Sequence, residues 1–413
     1  MSKKANGGGS ITKKVDKKGD KTYTYWRARW TDPDGQVKEK RFDSQAAAQE
    51  HLTETLAKIQ RNKYIAPNKI TLGAWLDEWV KEYSADLKYQ TKRSYESAIR
   101  EHIKPKLGKI KLQELKGDKI QSFVNSLGKT GKKTVTKGED GKEKVTYTGL
   151  APKSVKNIYG VLRTTLETAV DMKLIEANPA DRVKLPRLER AEKKFLSKTQ
   201  LNDFMAAARR DSLGIALCVL PLCGLRESEL LGLTWDCVDF KKNRLHVNKQ
   251  QVKRRASDGG YTLDSTKTAR SSRYVQLAPF AMSLLKEREK EQVLERFKAG
   301  ENWKGFQSPE EREKGLVFTN EHGTNVNPKV LWRHCKKVLN SIGIEDMTVH
   351  DLRHSFAVLS LEAGDDIKIV SGNLGHSSTS FTLDVYGHVS DAMMQESAAR
   401  MQALLDTIAD KRA

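Results

Sequence analysis

Residues 350–357 read His-Asp-Leu-Arg-His-Ser-Phe-Ala, and the stretch from 351 to 362 is predicted to be helical. The start of that helix carries two histidines and an arginine. Downstream, a helix over 366–373 leads into Leu374-Gly375-His376-Ser377-Ser378, and Tyr386-Gly387-His388 follows. Upstream, Cys223-Gly224-Leu225-Arg226-Glu227-Ser228-Glu229-Leu230 sets Arg226 between an apolar helix (212–223) and a helix start near Glu227. Ser265-Thr266-Lys267-Thr268, followed by Ser271, Ser272 and Arg273, falls at a turn between strands expected around 244–250 and 272–277. With helices near 198–210, 279–297, 328–341 and 391–409, residues 197–413 read as a mixed, mostly helical domain. Taken singly, each polar residue has a structural reading: an arginine closing a helix end, a lysine on a hairpin tip, a tyrosine capping a core.

The rest of the chain is organised differently. From Thr71 the apolar positions Leu72, Trp75, Leu76, Trp79, Val80 and Tyr83 recur at helical spacing, and further helices are predicted at 90–102, 117–127 and 152–173. Residues 65–178 are thus an all-α bundle, interrupted at 129–149 by a charged hairpin or loop, and 179–196 read as an extended basic linker. Before the bundle, Thr22–Trp30 alternates with period two. Tyr23, Tyr25, Arg27 and Arg29 share one face, and Thr24, Trp26, Ala28 and Trp30 the other. Asp32-Pro33-Asp34-Gly35 is a turn, Gln36–Phe42 a returning strand, and Asp43 or Ser44 caps a helix running to about Lys63. Residues 1–64 therefore form a small sheet backed by one helix, after a flexible leader at 1–20. The outer face is expected to carry Arg27 and Arg29 with Lys38 or Lys40, and a two-stranded ribbon of this kind fits the DNA major groove. The fold class is multi-domain α+β.

Charge points to the partner. The 413 residues hold 74 Lys+Arg against 53 Asp+Glu, a formal +21. Residues 1–64 carry net +7, residues 65–187 net +10, and residues 188–413 only +4. Basic clustering in one part of a chain is the electrostatic footprint of a polyanion binder, with nucleic acid the first candidate. No run of 18 apolar residues exists and the N-terminus lacks the apolar core of a secretory signal, so neither a membrane span nor export is expected. Cys218, Cys223, Cys237 and Cys335 are too few and too irregularly spaced for a disulfide framework or a Cys₄ zinc site. A reduced, cytoplasmic protein is expected.

Two arginines, a lysine, two histidines and a tyrosine, in the order Arg226, Lys267, His350-x-x-Arg353, His376, Tyr386, span 161 residues. Order and composition together resemble the tyrosine recombinase (phage integrase) family, through GLRESEL, STKTARSSR, HDLRHSFA, the LGHSS box and the final Y-G-H. The bundle is similar to the family's core-binding domain. The N-terminal sheet resembles the arm-type DNA-binding domain of integrases from temperate phages and conjugative transposons. The resemblance implies a site-specific recombinase working as a tetramer on double-stranded DNA, at core and arm attachment sites. It leaves room for a directionality factor or a host DNA-bending protein.

The chemistry follows from the residue types. Opening a phosphodiester while keeping its bond energy needs a covalent nucleophile, and the Tyr386 phenoxide suits this; the resemblance makes the link a 3′-phosphotyrosyl ester with a free 5′ hydroxyl. Arg226 and Arg353 can clamp the non-bridging oxygens with planar donors. Lys267 is the expected general acid for the departing 5′ oxygen. His350 can accept the tyrosine proton or hold a phosphate oxygen, and His376 can donate to the same phosphate. Glu229 is expected to orient a cationic group. No metal, ATP or other cofactor is called for. His350 and His354 do have the i, i+4 spacing of a zinc helix, but Asp351 replaces the glutamate of such a site and Arg353 would oppose a metal ion. The competing readings are a type IB topoisomerase, a chromosome-dimer recombinase, a nuclease, and a DNA-binding protein without catalysis.

Overall fold

The computed structural model describes residues 9–18, 21–137, 143–188, 193–254, 260–265, 272–375 and five positions beyond 397. The chain divides into two compact units, residues 1–189 and 190–413.

The first unit opens with an antiparallel sheet in the order β1 (Ser10–Lys18), β2 (Lys21–Thr31), β3 (Val37–Phe42). The stretch expected as a flexible leader thus supplies strand β1 from Ser10 onward. Its lysine-rich composition hides a period-two pattern in which Ile11 pairs with Ala28 and joins the core. The β2–β3 turn forms as expected: Asp32 Oδ1 accepts from the amides of Asp34 and Gln36, and Gly35 takes φ +79°. Helix α1 (Gln45–Gln60) is capped by the Ser44 hydroxyl and covers the sheet through Ala48 and Leu52, against buried Ala28 and Trp30.

The register corrects one expectation. Trp30 pairs with Lys38 and Ala28 with Lys40, whereas Arg29 pairs with Glu39 and Arg27 with Arg41. Directly paired residues share a face, so Lys38 and Lys40 stand on the side of Trp30, and Arg41 and Glu39 accompany the arginines. Counting alternation from the wrong residue of β3 moves every side chain to the opposite face. Glu39 lies 3.4 Å from Arg27 and 3.7 Å from Arg29.

The segment after α1 is held at both ends. The Tyr64 hydroxyl accepts from Trp30 Nε1, and Gln113 brackets the chain by donating to Ala66 O and accepting from the Asn68 amide. The bundle comprises α2 (Leu72–Glu82), α3 (Tyr89–Ala98), a π-helical turn at Ile99–Ile103, α4 (Lys104–Leu107), α5 (Gly117–Thr130) and α6 (Pro152–Asp171). Trp75, Leu76, Ile103, Phe123, Leu162 and Leu166 fill its core. The interruption is a hairpin, β4 (Lys132–Lys137) with β5 (Glu143–Thr148), and its expected tip at 138–142 lies outside the described residues.

The second unit is mostly helical. Helix α7 (Lys198–Ala208) starts with a Ser197–Gln200 capping box, and the apolar α8 (Gly214–Cys223) is buried along nearly its whole length. Then come α9 (Glu227–Leu230), β6 (Val238–Asp239), β7 (Arg244–Val247), β8 (Lys249–Lys253), β9 (Tyr261–Ser265) and β10 (Arg273–Gln276). The single strand expected at 244–250 is two, broken at Asn248, because β7 joins a sheet ordered β10-β7-β6 while β8 pairs with β9. Helices α10 (Pro279–Ala299), α11 (Pro309–Glu313), α12 (Pro328–Ser341), α13 (Val349–Glu362) and α14 (Ile367–Leu374) complete it. Of the helix expected at 391–409, the described positions are Ala398, Ala399, Met401, Gln402 and Leu405, and all five are exposed. Among the described residues no helix is long and apolar enough to cross a membrane.

Candidate active site

Helix α8 stops because Gly224 takes φ +60°, the left-handed C-terminal position. A Cβ at Gly224 would lie 2.4 Å from the Phe356 ring, so sterics and dihedral both demand glycine there. The turn delivers Arg226 to the N-cap of α9, where Glu229 Oε2 accepts its backbone amide at 2.9 Å and Oε1 accepts its Nη1 at 2.6 Å. Helix α13 begins at a second capping box, with Asp351 Oδ2 accepting from the Thr348 amide at 2.8 Å and hydroxyl at 2.7 Å. Asp351 is therefore a helix cap. This places His350 on the exposed first turn and aims Arg353 inward.

The site is a cluster of three guanidinium groups around one carboxylate. Glu229, 2% exposed, is also approached by Arg273 Nη2 at 2.9 Å and Nη1 at 3.2 Å, and by Arg353 Nη1 at 4.0 Å. Each arginine takes one of three successive carbonyls at the end of α14: Arg273 Nε donates to Asn373 O (2.6 Å), Arg353 Nη2 to Leu374 O (2.5 Å) and Arg226 Nη2 to Gly375 O (3.1 Å). The last carbonyls of a helix lack partners within it and form the negative end of its dipole, so cations suit them. Arg353 Nη1 also donates to Gly224 O at 2.6 Å. The side chains of Arg273 and Arg353 are 7% and 3% exposed, whereas that of Arg226 is 35% exposed. Arg226 is the member of the cluster that faces solvent.

Electrostatics follow from this packing. Burial alone would raise the Glu229 carboxyl, but hydrogen bonding and charge from Arg273, then the Arg226 charge, outweigh it and hold the group below the usual carboxylate range. Surrounding protein, then the Arg353 charge, lowers His350. Burial, then neighbouring His350, lowers His354 to about 4. The two rings meet edge to face at 4.8 Å. Both shifts favour the neutral imidazole, the form in which His350 can accept a proton. Among the described residues no group of histidine, cysteine, aspartate or glutamate side chains is arranged to hold a metal ion.

The structure brings together Arg226, Glu229, His350 and Arg353, four of the seven residues singled out in the sequence. Lys267, His376 and Tyr386 lie outside the described residues. Arg273 was not among the candidates. Its signals are a basic residue at a strand start close behind the Lys267 turn and its place at the end of STKTARSSR.

The model described as phage integrase family matches residues 194–393, and that described as phage integrase, N-terminal SAM-like domain matches residues 71–128. The chain belongs to the phage integrase family. It is a tyrosine-type site-specific recombinase of mobile elements, catalysing DNA breakage and rejoining. A tyrosine recombinase XerC-like protein of Caldanaerobacter subterraneus subsp. tengcongensis is 29% identical over 384 residues, 88% of this chain and 92% of the relative. The ICEBs1 integrase of Bacillus subtilis is 29% identical over 266 residues, 62% and 67% of the two chains. Among solved structures, the Tn1549 transposon integrase in complex with transposon right end DNA superposes with a TM-score of 0.64 at 20% identity, covering 80% of this chain and 99% of that one. A lambda integrase tetramer bound to a Holliday junction gives 0.53 at 18% identity, covering 89% and 94%. These likenesses establish the shared integrase fold.

Proposed function

We propose that this integrase family member cuts DNA by attack of the Tyr386 phenoxide on a phosphodiester, forming a 3′-phosphotyrosyl ester and freeing a 5′ hydroxyl. The ester then passes to a hydroxyl from the partner duplex, so no external energy source enters. Arg226 neutralises the non-bridging oxygens as charge builds on them, with Arg353 behind it holding the turn at Gly224 and the end of α14. His350 receives the tyrosine proton, Lys267 protonates the leaving oxygen, and His376 donates to the phosphate. Glu229 orients Arg226. The observation that carries this reading is the partly exposed Arg226 guanidinium, fixed by a buried carboxylate and by Gly375 O, in a cluster with Arg353 from the helix that also carries His350.

Residues 197–413 are the catalytic domain in this reading, 65–178 grip the core site, and 1–64 read arm-type sites, the protein working on the bacterial nucleoid. Exchange of four strands in two successive pairs calls for four protomers on two duplexes. In support, a lambda integrase tetramer has been seen on a Holliday junction, and the Tn1549 integrase on transposon end DNA.

The test is covalent trapping on DNA nicked at a candidate crossover site. Wild type is expected to leave a protein–DNA adduct, and Tyr386→Phe to bind the DNA without forming one. An adduct in Tyr386→Phe would show that another residue attacks. A chelator is expected to leave trapping unchanged, and loss of trapping in its presence would point to metal chemistry.

A further inference from the structure

Arg273 makes more of the cluster's connections than any role in the six-residue mechanism accounts for. It opens β10, six residues after Lys267 in the chain, and its guanidinium bridges the Glu229 carboxylate and Asn373 O. Its side chain also shapes the next turn. A Cβ on Gly375 would lie 3.0 Å from Arg273 Nη1 and 3.1 Å from its Cδ, and Gly375 already takes φ +62°. Arg273 therefore ties together the strand that follows Lys267, the carboxylate that holds Arg226, and the turn whose next residue is His376.

The charge balance makes this tie consequential. The charged groups facing Glu229 among the described residues are Arg226 at its own helix start, Arg273 from β10 and Arg353 from α13, the last 4.0 Å away. A carboxylate this deeply buried stays ionised only while it is paired and hydrogen-bonded. Without Arg273, Glu229 takes up a proton more readily and loosens its hold on Arg226. That frees the guanidinium of the cluster that faces solvent.

We propose that Arg273 is a positioning residue for DNA cleavage, fixing Glu229 and the 373–375 turn so that Arg226 meets the phosphate in register. The proposal rests on the assignment of this cluster as the phosphoryl-transfer site, and it gives Arg273 no contact with DNA.

The experiment measures adduct formation by the full-length protein on nicked site DNA between about pH 5.5 and 8.5, a span covering carboxyl pKa values raised by burial. Arg273→Gln is expected to bind DNA normally and to cleave about 10- to 100-fold more slowly at the acid end, as small displacements in a site do. Its rate should recover toward the alkaline end, because Glu229 then regains its charge. Arg273→Lys keeps that charge and is expected to retain the wild-type pH profile with a smaller loss of rate. If Arg273→Gln fails to fold, the pair Arg273→Gln with Glu229→Gln removes the orphaned charge, and the proposal requires that pair to cleave slowly with a flat profile. A rate reduced by one constant factor at every pH in Arg273→Gln, or full-rate cleavage by the double variant, overturns the positioning role. Tyr386→Phe run in parallel separates the two claims, since a surviving adduct there strikes the site assignment itself.

Discussion

At the scale of single residues, the two arginines of the proposed mechanism are expected to fail in different ways. Arg226 is partly open to solvent and Arg273 still pairs Glu229 without it, so Arg226→Ala should lose ~10²–10³ in cleavage with a smaller loss of thermal stability than Arg353→Ala. Arg353 is buried and donates to Gly224 O and Leu374 O. Arg353→Ala strands those carbonyls at about 1–3 kcal/mol each, and should lower the melting temperature as well as the rate. Equal melting temperatures for the two variants would contradict the buried role of Arg353. His354 supplies a pH prediction. Its folded pKa of about 4 lies below the ordinary 6.5, so its contribution to stability is fully present above pH 6.5 and is lost as pH falls toward 4. Melting temperature should therefore drop between pH 7 and 5, and His354→Asn should flatten that slope. Arg226, His350 and Arg353 were legible in the sequence because their spacing matches a family and their chemistry suits a phosphate. Arg273 was not, because its acceptor Asn373 O lies 100 residues away and a backbone carbonyl leaves no mark in a residue pattern.

At the scale of elements, local signals served well wherever a side chain closes on its own neighbourhood. Ser44, Thr71 and Ser197 cap helices through hydroxyls three residues from the amides they receive, so these starts could be read directly. Strand β1 and the β3 register could not, because pairing partners are set across the sheet and a one-residue slip inverts the faces. The α13 cap carries His350 and Arg353, so Asp351→Ala should cost about 1 kcal/mol in unfolding experiments and slow cleavage in parallel. On the sheet, Glu39 sits between Arg27 and Arg29, and its carboxylate opposes any phosphate those arginines would meet. Glu39→Gln should tighten binding to arm-type DNA by a few-fold, about 1 kcal/mol, while Arg27→Ala should weaken it by ~1–3 kcal/mol. Weaker binding by Glu39→Gln would mean that the arginine face is not the one presented to DNA.

At the scale of the whole molecule, the charge partition and the held linker make one further prediction. Residues 1–64 contribute +7 and residues 65–187 contribute +10, so two separate stretches of the chain can each displace counterions from DNA. Tyr64 belongs to the core of the sheet domain while Ile70 packs on the bundle, and Gln113 fixes the residues between them. Removing residues 1–64 should therefore leave the bundle core complete and delete only the first set of cations that meet phosphates. On DNA carrying both site types, the slope of log affinity against log salt should become shallower by about 0.9 for each phosphate no longer neutralised. On DNA with the crossover site alone the two proteins should share one slope, and both should form the covalent adduct. Recombination should fall steeply in the shortened protein, because binding one duplex no longer raises the effective concentration of the second site. If instead the slopes agree on both DNAs and recombination proceeds at the full rate, the N-terminal charge only solvates the surface, and the sheet with Arg27 and Arg29 has no part in choosing the DNA.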